Sequence, residues 1–177
     1  MNRKSFLMKS VATACGIAAT VLMAPTAGAQ ADPRINRSMA NLKAMATNLG
    51  APRLQGEEAV GGKSAPVLYF GKAKINKNFG IVDAISKADG QGMTATFFVK
   101  SGDEYIRVST NVQKPDGRGR AIGTLLDPNG KVIAQIKKGL PFYGEVMIFG
   151  VPYITAYEPI KPAGGGVIGI YYVGYQK

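Results

Sequence analysis

Between Tyr105 and Asn111 the chain reads YIRVSTN, an alternation of apolar and polar residues with one arginine in it. In a β-strand, residues two apart share a face, so Tyr105, Arg107, Ser109 and Asn111 are expected to project together. A guanidinium among hydroxyls and an amide can grip a carboxylate through two parallel charge-assisted hydrogen bonds. Further along, Val151, Tyr153, Thr155 and Tyr157 share one strand face. Tyr153 and Tyr157 could add an apolar wall with hydroxyls at its rim, or pack as ordinary cross-strand neighbours. Tyr143 is expected at the edge of the same site. Arg120 follows the Gly-rich loop Pro115–Gly119, where backbone N–H groups and a guanidinium can close over an anion. The seven candidate ligand-binding residues are therefore Arg107, Ser109, Asn111, Arg120, Tyr143, Tyr153 and Tyr157. The alternative for all of them is a solvated polar sheet face.

What the chain lacks narrows the chemistry further. Histidine is absent, which removes the commonest general base and every imidazole metal site. The single cysteine, Cys15, lies inside an apolar run near the N-terminus. Neither an enzyme nor a metal or other cofactor is expected from such a set. Gly164-Gly165-Gly166 lacks the lysine of a phosphate loop, and Asp127-Pro128-Asn129-Gly130 lacks the spaced acids of a calcium loop.

The elements that must position these residues begin with a leader. Arg3, Lys4 and Lys9 precede or flank an apolar run from Val11 to Ala24, and Ala27-Gly28-Ala29-Gln30-Ala31 follows. A basic start, a short apolar middle and an A-x-A site read as a secretory signal peptide over 1–31, cleaved near Ala29 or Ala31. A retained anchor is the alternative. No later run approaches the ~20 apolar residues of a spanning helix. The protein is thus expected in the periplasm or secreted, with a single domain over 32–177. Net charge is +11, and about +8 without the leader's basic residues. The basic residues are scattered, and outside the cytoplasm they point to anionic solutes or surfaces, not nucleic acid.

Asp32-Pro33 opens a helix whose stripe is Ile35, Met39, Leu42, Met45 or Ala46, and Leu49. Gln55–Ser64 is expected to be a loop and Val67–Phe70 a strand. Phe79–Ile85 fits either a strand or one helical turn. Met93–Lys100 and Tyr105–Val112 flank Ser101-Gly102-Asp103 as a hairpin, and Ala121–Leu126 is expected to be a further strand. A short helix carries Val132, Ile133 and Ile136. From Tyr143 to Gly174, three strand-like runs are broken at Phe149-Gly150 and at Pro162–Gly166, an antiparallel meander. Helix followed by mostly antiparallel sheet, with no βαβ alternation, is an α+β fold.

Five pieces, Pro66–Gly71, Ile81–Ala84, Tyr105–Val112, Gly119–Thr124 and Tyr143–Gly174, resemble in order and spacing the single Cache domain family, of the Cache 3/Cache 2 type. These are PAS-like extracytoplasmic sensors of bacterial chemoreceptors and histidine kinases. The resemblance implies a long helix on one face of an antiparallel sheet and a ligand pocket on the other. It implies a small organic acid as ligand, with Arg107 at the place where relatives often contact the carboxylate. Some carboxylate-sensing relatives carry a histidine three residues after that arginine. Thr110 stands there in this chain, so the resemblance does not extend to dicarboxylate or citrate specificity. Relatives signal through a helix after the last strand, whereas this sequence runs only to Lys177. A membrane chemoreceptor or sensor kinase is therefore the expected partner, in chemotaxis or another signal relay. The alternative is a basic interaction module that docks on a receptor or an anionic surface with no small ligand.

Overall fold

The computed structural model describes residues 32–90 and 92–177. The leader expected over 1–31 lies outside the described residues. Helix α1, Pro33–Thr47, starts as its sequence dictates: the Asp32 carboxylate accepts from the Arg34 backbone N–H at 2.9 Å, and Pro33 occupies the first turn. Ile35, Met39, Leu42 and Ala46 form its buried stripe.

The chain then folds into a small antiparallel sheet of β1 (Pro52–Val60), β2 (Lys63–Phe70) and β3 (Ala73–Lys74), in that order. This corrects the loop expected over Gln55–Ser64. Polar residues there belong to the outer face of an edge strand. A bulge between Leu54 and Glu57 also breaks the alternation, around Gly56 at φ 72°. Phe79–Ile85 resolves as part of α2, Gly80–Asp89, whose first N–H is capped by Asn78 Oδ1 at 3.1 Å.

The larger sheet contains β4 (Met93–Ser101), β5 (Glu104–Thr110), β6 (Phe142–Ile148), β7 (Val151–Ile160) and β8 (Gly169–Gln176). Its order is β5-β4-β8-β7-β6, antiparallel throughout. The expected hairpin and meander are both present, joined by the β4–β8 pairing. The strand expected over Ala121–Leu126 is not one. That segment follows β5 irregularly, meeting it in one isolated bridge, Ile106 to Leu125. Gly123, at φ 78°, turns the backbone within it; a Cβ there would lie 2.6 Å from the Gly61 Cα. Helix α3, Lys131–Ile136, follows.

Two cores result, one on each side of the large sheet. On one side α1, α2 and the small sheet cover Ala95, Phe97, Val99, Val173 and Tyr175. On the other, α3 and the segment before it cover Phe98, Tyr105, Tyr157, Ile170 and Tyr172. The fold is α+β, a long N-terminal helix packed on antiparallel sheet.

Candidate functional site

Strand pairing decides which of the seven candidate residues can meet. Phe97 opposes Ser109, but its neighbour Phe98 opposes Arg107, so Val108 is an extra residue in β5. A bulge of this kind reverses the alternation beyond it. Arg107 shares the α3 side of the sheet with Phe98. Ser109 and Asn111 are turned to the α1–α2 side with Phe97 and Ala95. The expected group of four is therefore split.

On their own side Ser109 and Asn111 are consumed by the scaffold. Ser109 Oγ donates to the Asn78 carbonyl at 2.6 Å. Asn111 Oδ1 accepts from the Ala95 N–H at 2.7 Å, and its amide nitrogen donates to the Val82 and Met93 carbonyls at 3.3 Å each. Tyr143 opposes Ala156 and is also on the α1 side, where its hydroxyl donates to Glu158, the carboxylate that Lys43 of α1 meets at 2.6 Å. Burial first, then that carboxylate, pushes the Tyr143 hydroxyl well above its ordinary pKa. Arg120 is clamped on Asp83 through two bonds of 2.7 and 2.9 Å, donates to the Thr110 carbonyl at 2.9 Å, and stacks over Phe79. These four residues are occupied away from Arg107.

Arg107 itself is 5% exposed. Its Nη1 donates to Thr124 Oγ1 at 3.0 Å, and its Nε has no acceptor among the described residues. The guanidinium carbon lies 5.1 Å from the centre of the Phe98 ring and 5.7 Å from that of Phe149. No carboxylate of the described residues pairs with it within salt-bridge distance. Burial holds its pKa below the ordinary arginine value, partly offset by Tyr157, Tyr172 and Tyr153. It nonetheless stays a cation, because the guanidinium is effectively never deprotonated in proteins.

Arg107 lines a cavity of about 610 Å³. Leu125, Leu126 and Asp127 form one wall, Lys131 and Val132 of α3 a second, and the β6–β7 hairpin from Glu145 to Phe149, with Pro152, a third. Tyr157 completes the lining. Its hydroxyl is pushed well above the ordinary tyrosine pKa by burial, against the opposing pull of Arg107, so it is a neutral hydrogen-bonding group. Tyr153 shares the face of Tyr157, half-buried, with a hydroxyl that burial raises and Arg107 lowers, but it is not among the residues that line the cavity. The arrangement presents one fixed, incompletely satisfied cation at a largely apolar hollow, which is a means of holding an anion.

The family model of the Cache 3/Cache 2 fusion domain matches residues 15–177. This chain belongs to that Cache family. Cache domains are generally extracellular sensor domains for small-molecule ligands, and they are non-catalytic modules that sit in receptors. None of the curated proteins and none of the solved structures compared with it matches the chain. Among the described residues of this Cache domain, no three His, Cys, Asp or Glu side chains gather as metal ligands, and no helix is long and apolar enough to cross a membrane.

Sequence reasoning missed Thr124 and Phe98 as the neighbours that hold the Arg107 guanidinium, and the β6–β7 hairpin as a wall of the cavity. Phe149-Gly150 marks the turn, but nothing local says that the turn folds back over Arg107. The one signal in the sequence is the Phe149-Gly150 pair itself, a phenylalanine at a hairpin-turn position where Asn, Asp or Gly is usual; the structure holds it at φ 51°.

Proposed function

We propose that this Cache domain binds a small carboxylate reversibly in the cavity beside Arg107, and that occupancy is the signal it relays. Arg107 pairs the carboxylate, Tyr157 hydrogen-bonds to it, and Tyr153 walls the approach. The observation that carries this reading is a buried guanidinium on the cavity lining whose Nε has no acceptor and which has no acidic partner among the described residues. A buried charge without a counter-ion is costly, and a ligand that supplies the counter-ion offsets that cost. We further propose that the domain works in the periplasm after removal of residues 1–31, and that a membrane chemoreceptor or sensor kinase reads its ligand state. The general role of Cache domains as extracellular sensors supports both points.

Isothermal titration of the purified protein with a panel of organic acids, with and without Arg107→Ala, tests the site. Binding by the parent protein should be lost in the variant, at least about a hundredfold, since an ion-paired hydrogen bond in a desolvated site carries that much affinity. Equal affinity in both proteins would remove Arg107 from the site.

A further inference from the structure

Resting on the carboxylate reading of Arg107, we infer that the ligand is a monocarboxylate with a bulky apolar body, and that Phe149 is the residue that selects it. The distribution of charge in the cavity argues for one carboxylate. Arg107 is its buried cation; the other charged lining residues, Asp127, Lys131 and Glu145, are all exposed. Lys131 Nζ is drawn over the Phe142 ring at 5.4 Å, and Glu145 is paired with Lys177 at 2.8 Å. A second carboxylate reaching outward from Arg107 would find no second buried cation, only exposed side chains whose charges solvent screens, so nothing fixed in the cavity pairs it.

The volume argues for a body. About 610 Å³ is far more than an acetate-sized anion fills and falls in the range of sites for drug-sized ligands. Its walls are side chains of Leu125, Leu126, Val132, Val146 and Ile148, which gain from an apolar occupant and have nothing to offer a hydroxylated one.

Phe149 supplies the selection. The residue sits in the left-handed region at φ 51°, in a two-residue turn between the paired Ile148 and Val151. That conformation is strained for a bulky side chain, and strain of this kind persists where surrounding structure enforces it, often at ligand clamps. Here the turn carries the ring to 5.7 Å from the Arg107 guanidinium while leaving it 44% exposed. Its neighbour Met147, also in the lining, is 65% exposed. An apolar body extending from a carboxylate on Arg107 would cover the Phe149 ring, and a compact polar acid would leave it in water.

The experiment is calorimetric titration of the purified protein with phenylacetate, hexanoate, acetate and succinate, against the parent, Phe149→Asn, Phe149→Tyr and Arg107→Gln. Asparagine suits the left-handed turn and removes the ring, while tyrosine keeps the ring. Phenylacetate or hexanoate should bind the parent tightest. Phe149→Asn should weaken that acid about tenfold, the scale of one desolvated aromatic contact, and Phe149→Tyr should restore it. Arg107→Gln should abolish binding of every acid. Should acetate or succinate bind as tightly as phenylacetate and hexanoate, with loss in Arg107→Gln, the inference is overturned while the carboxylate site stands. If none of the acids binds the parent, both fall.

Discussion

The two faces of the five-stranded sheet are built to different rules. On the α1–α2 face, Phe70, Phe97 and Tyr171 interlock with ring centres 5.8 to 6.0 Å apart, and the buried polar groups described above are all bonded. Ser38 of α1, for example, donates to Asp89 at 2.5 Å and meets the Tyr175 hydroxyl at 3.0 Å. On the α3 face the aromatic packing is just as close, with Tyr157 and Tyr172 4.8 Å apart, yet Arg107 is left with an unsatisfied donor beside a cavity. A face that only supports the fold satisfies its buried polar groups, since an orphan costs more than its removal. The open donor on the α3 face is what the proposed carboxylate site rests on. The other orphaned buried atom among the described residues, Glu58 Oε1 in β1, belongs to a carboxylate whose second oxygen is already paired with Lys74 and Lys77, whereas Arg107 has no charged partner.

The largest effect that tests this division should come from Phe97→Ala. Phe97 is fully buried at the centre of the aromatic cluster, so truncation should destabilise the domain by about 3–5 kcal/mol in urea unfolding. Carboxylate affinity per folded molecule should persist, because the side chain points away from the cavity. A loss below about 1 kcal/mol would mean that the α1–α2 face is not the tightly packed support described here.

Arg107→Met should act in the opposite sense. It removes a buried, half-satisfied cation and keeps much of the apolar stem, so unfolding free energy should rise by about 1–3 kcal/mol while carboxylate binding disappears. Thr124 loses a donor but keeps its own bond to the Ala121 carbonyl at 2.8 Å. A variant destabilised by that amount would make Arg107 a structural group and erase the contrast between the faces.

The same contrast explains what could be read from the chain beforehand. Helix α1 was legible because Asp32, Pro33 and the Ile35–Ala46 stripe are local signals, and the β6–β7–β8 meander because turn residues break apolar runs. Strand alternation located Arg107 and Tyr157 on one face. It misplaced Ser109 and Asn111, because the extra residue at Val108 is marked by no glycine and bulges are set by how two strands pair. Tyr143 was misplaced for a related reason: its face follows from opposing Ala156, a register that its own neighbours do not encode. Strand β1 and the first residues of β2 were hidden by the Gly56 bulge and a polar edge, while the apolar run Val67–Phe70 showed the rest of β2. Phe149 could be seen as a turn residue only, since its closeness to Arg107 depends on how the β6–β7 hairpin curls over the sheet.

The smallest expected effect concerns the second arginine. Arg120 is as well bonded as Arg107 is not: two bonds to Asp83, one to the Thr110 carbonyl, and a ring beneath it 4.4 Å away. The pair is partly exposed, 28% for Arg120 and 47% for Asp83, so its Coulomb energy is screened by solvent. Arg120→Gln should therefore cost only about 0.5–1.5 kcal/mol, and a double-mutant cycle with Asp83→Asn should give a coupling of about 0.5–1 kcal/mol that shrinks at high salt. Carboxylate affinity should not move, because this guanidinium is spent on tying α2 to the end of β5. A drop in affinity with Arg120→Gln, at unchanged stability, would bring Arg120 back into the binding site and show that a fully bonded arginine can still serve a ligand here.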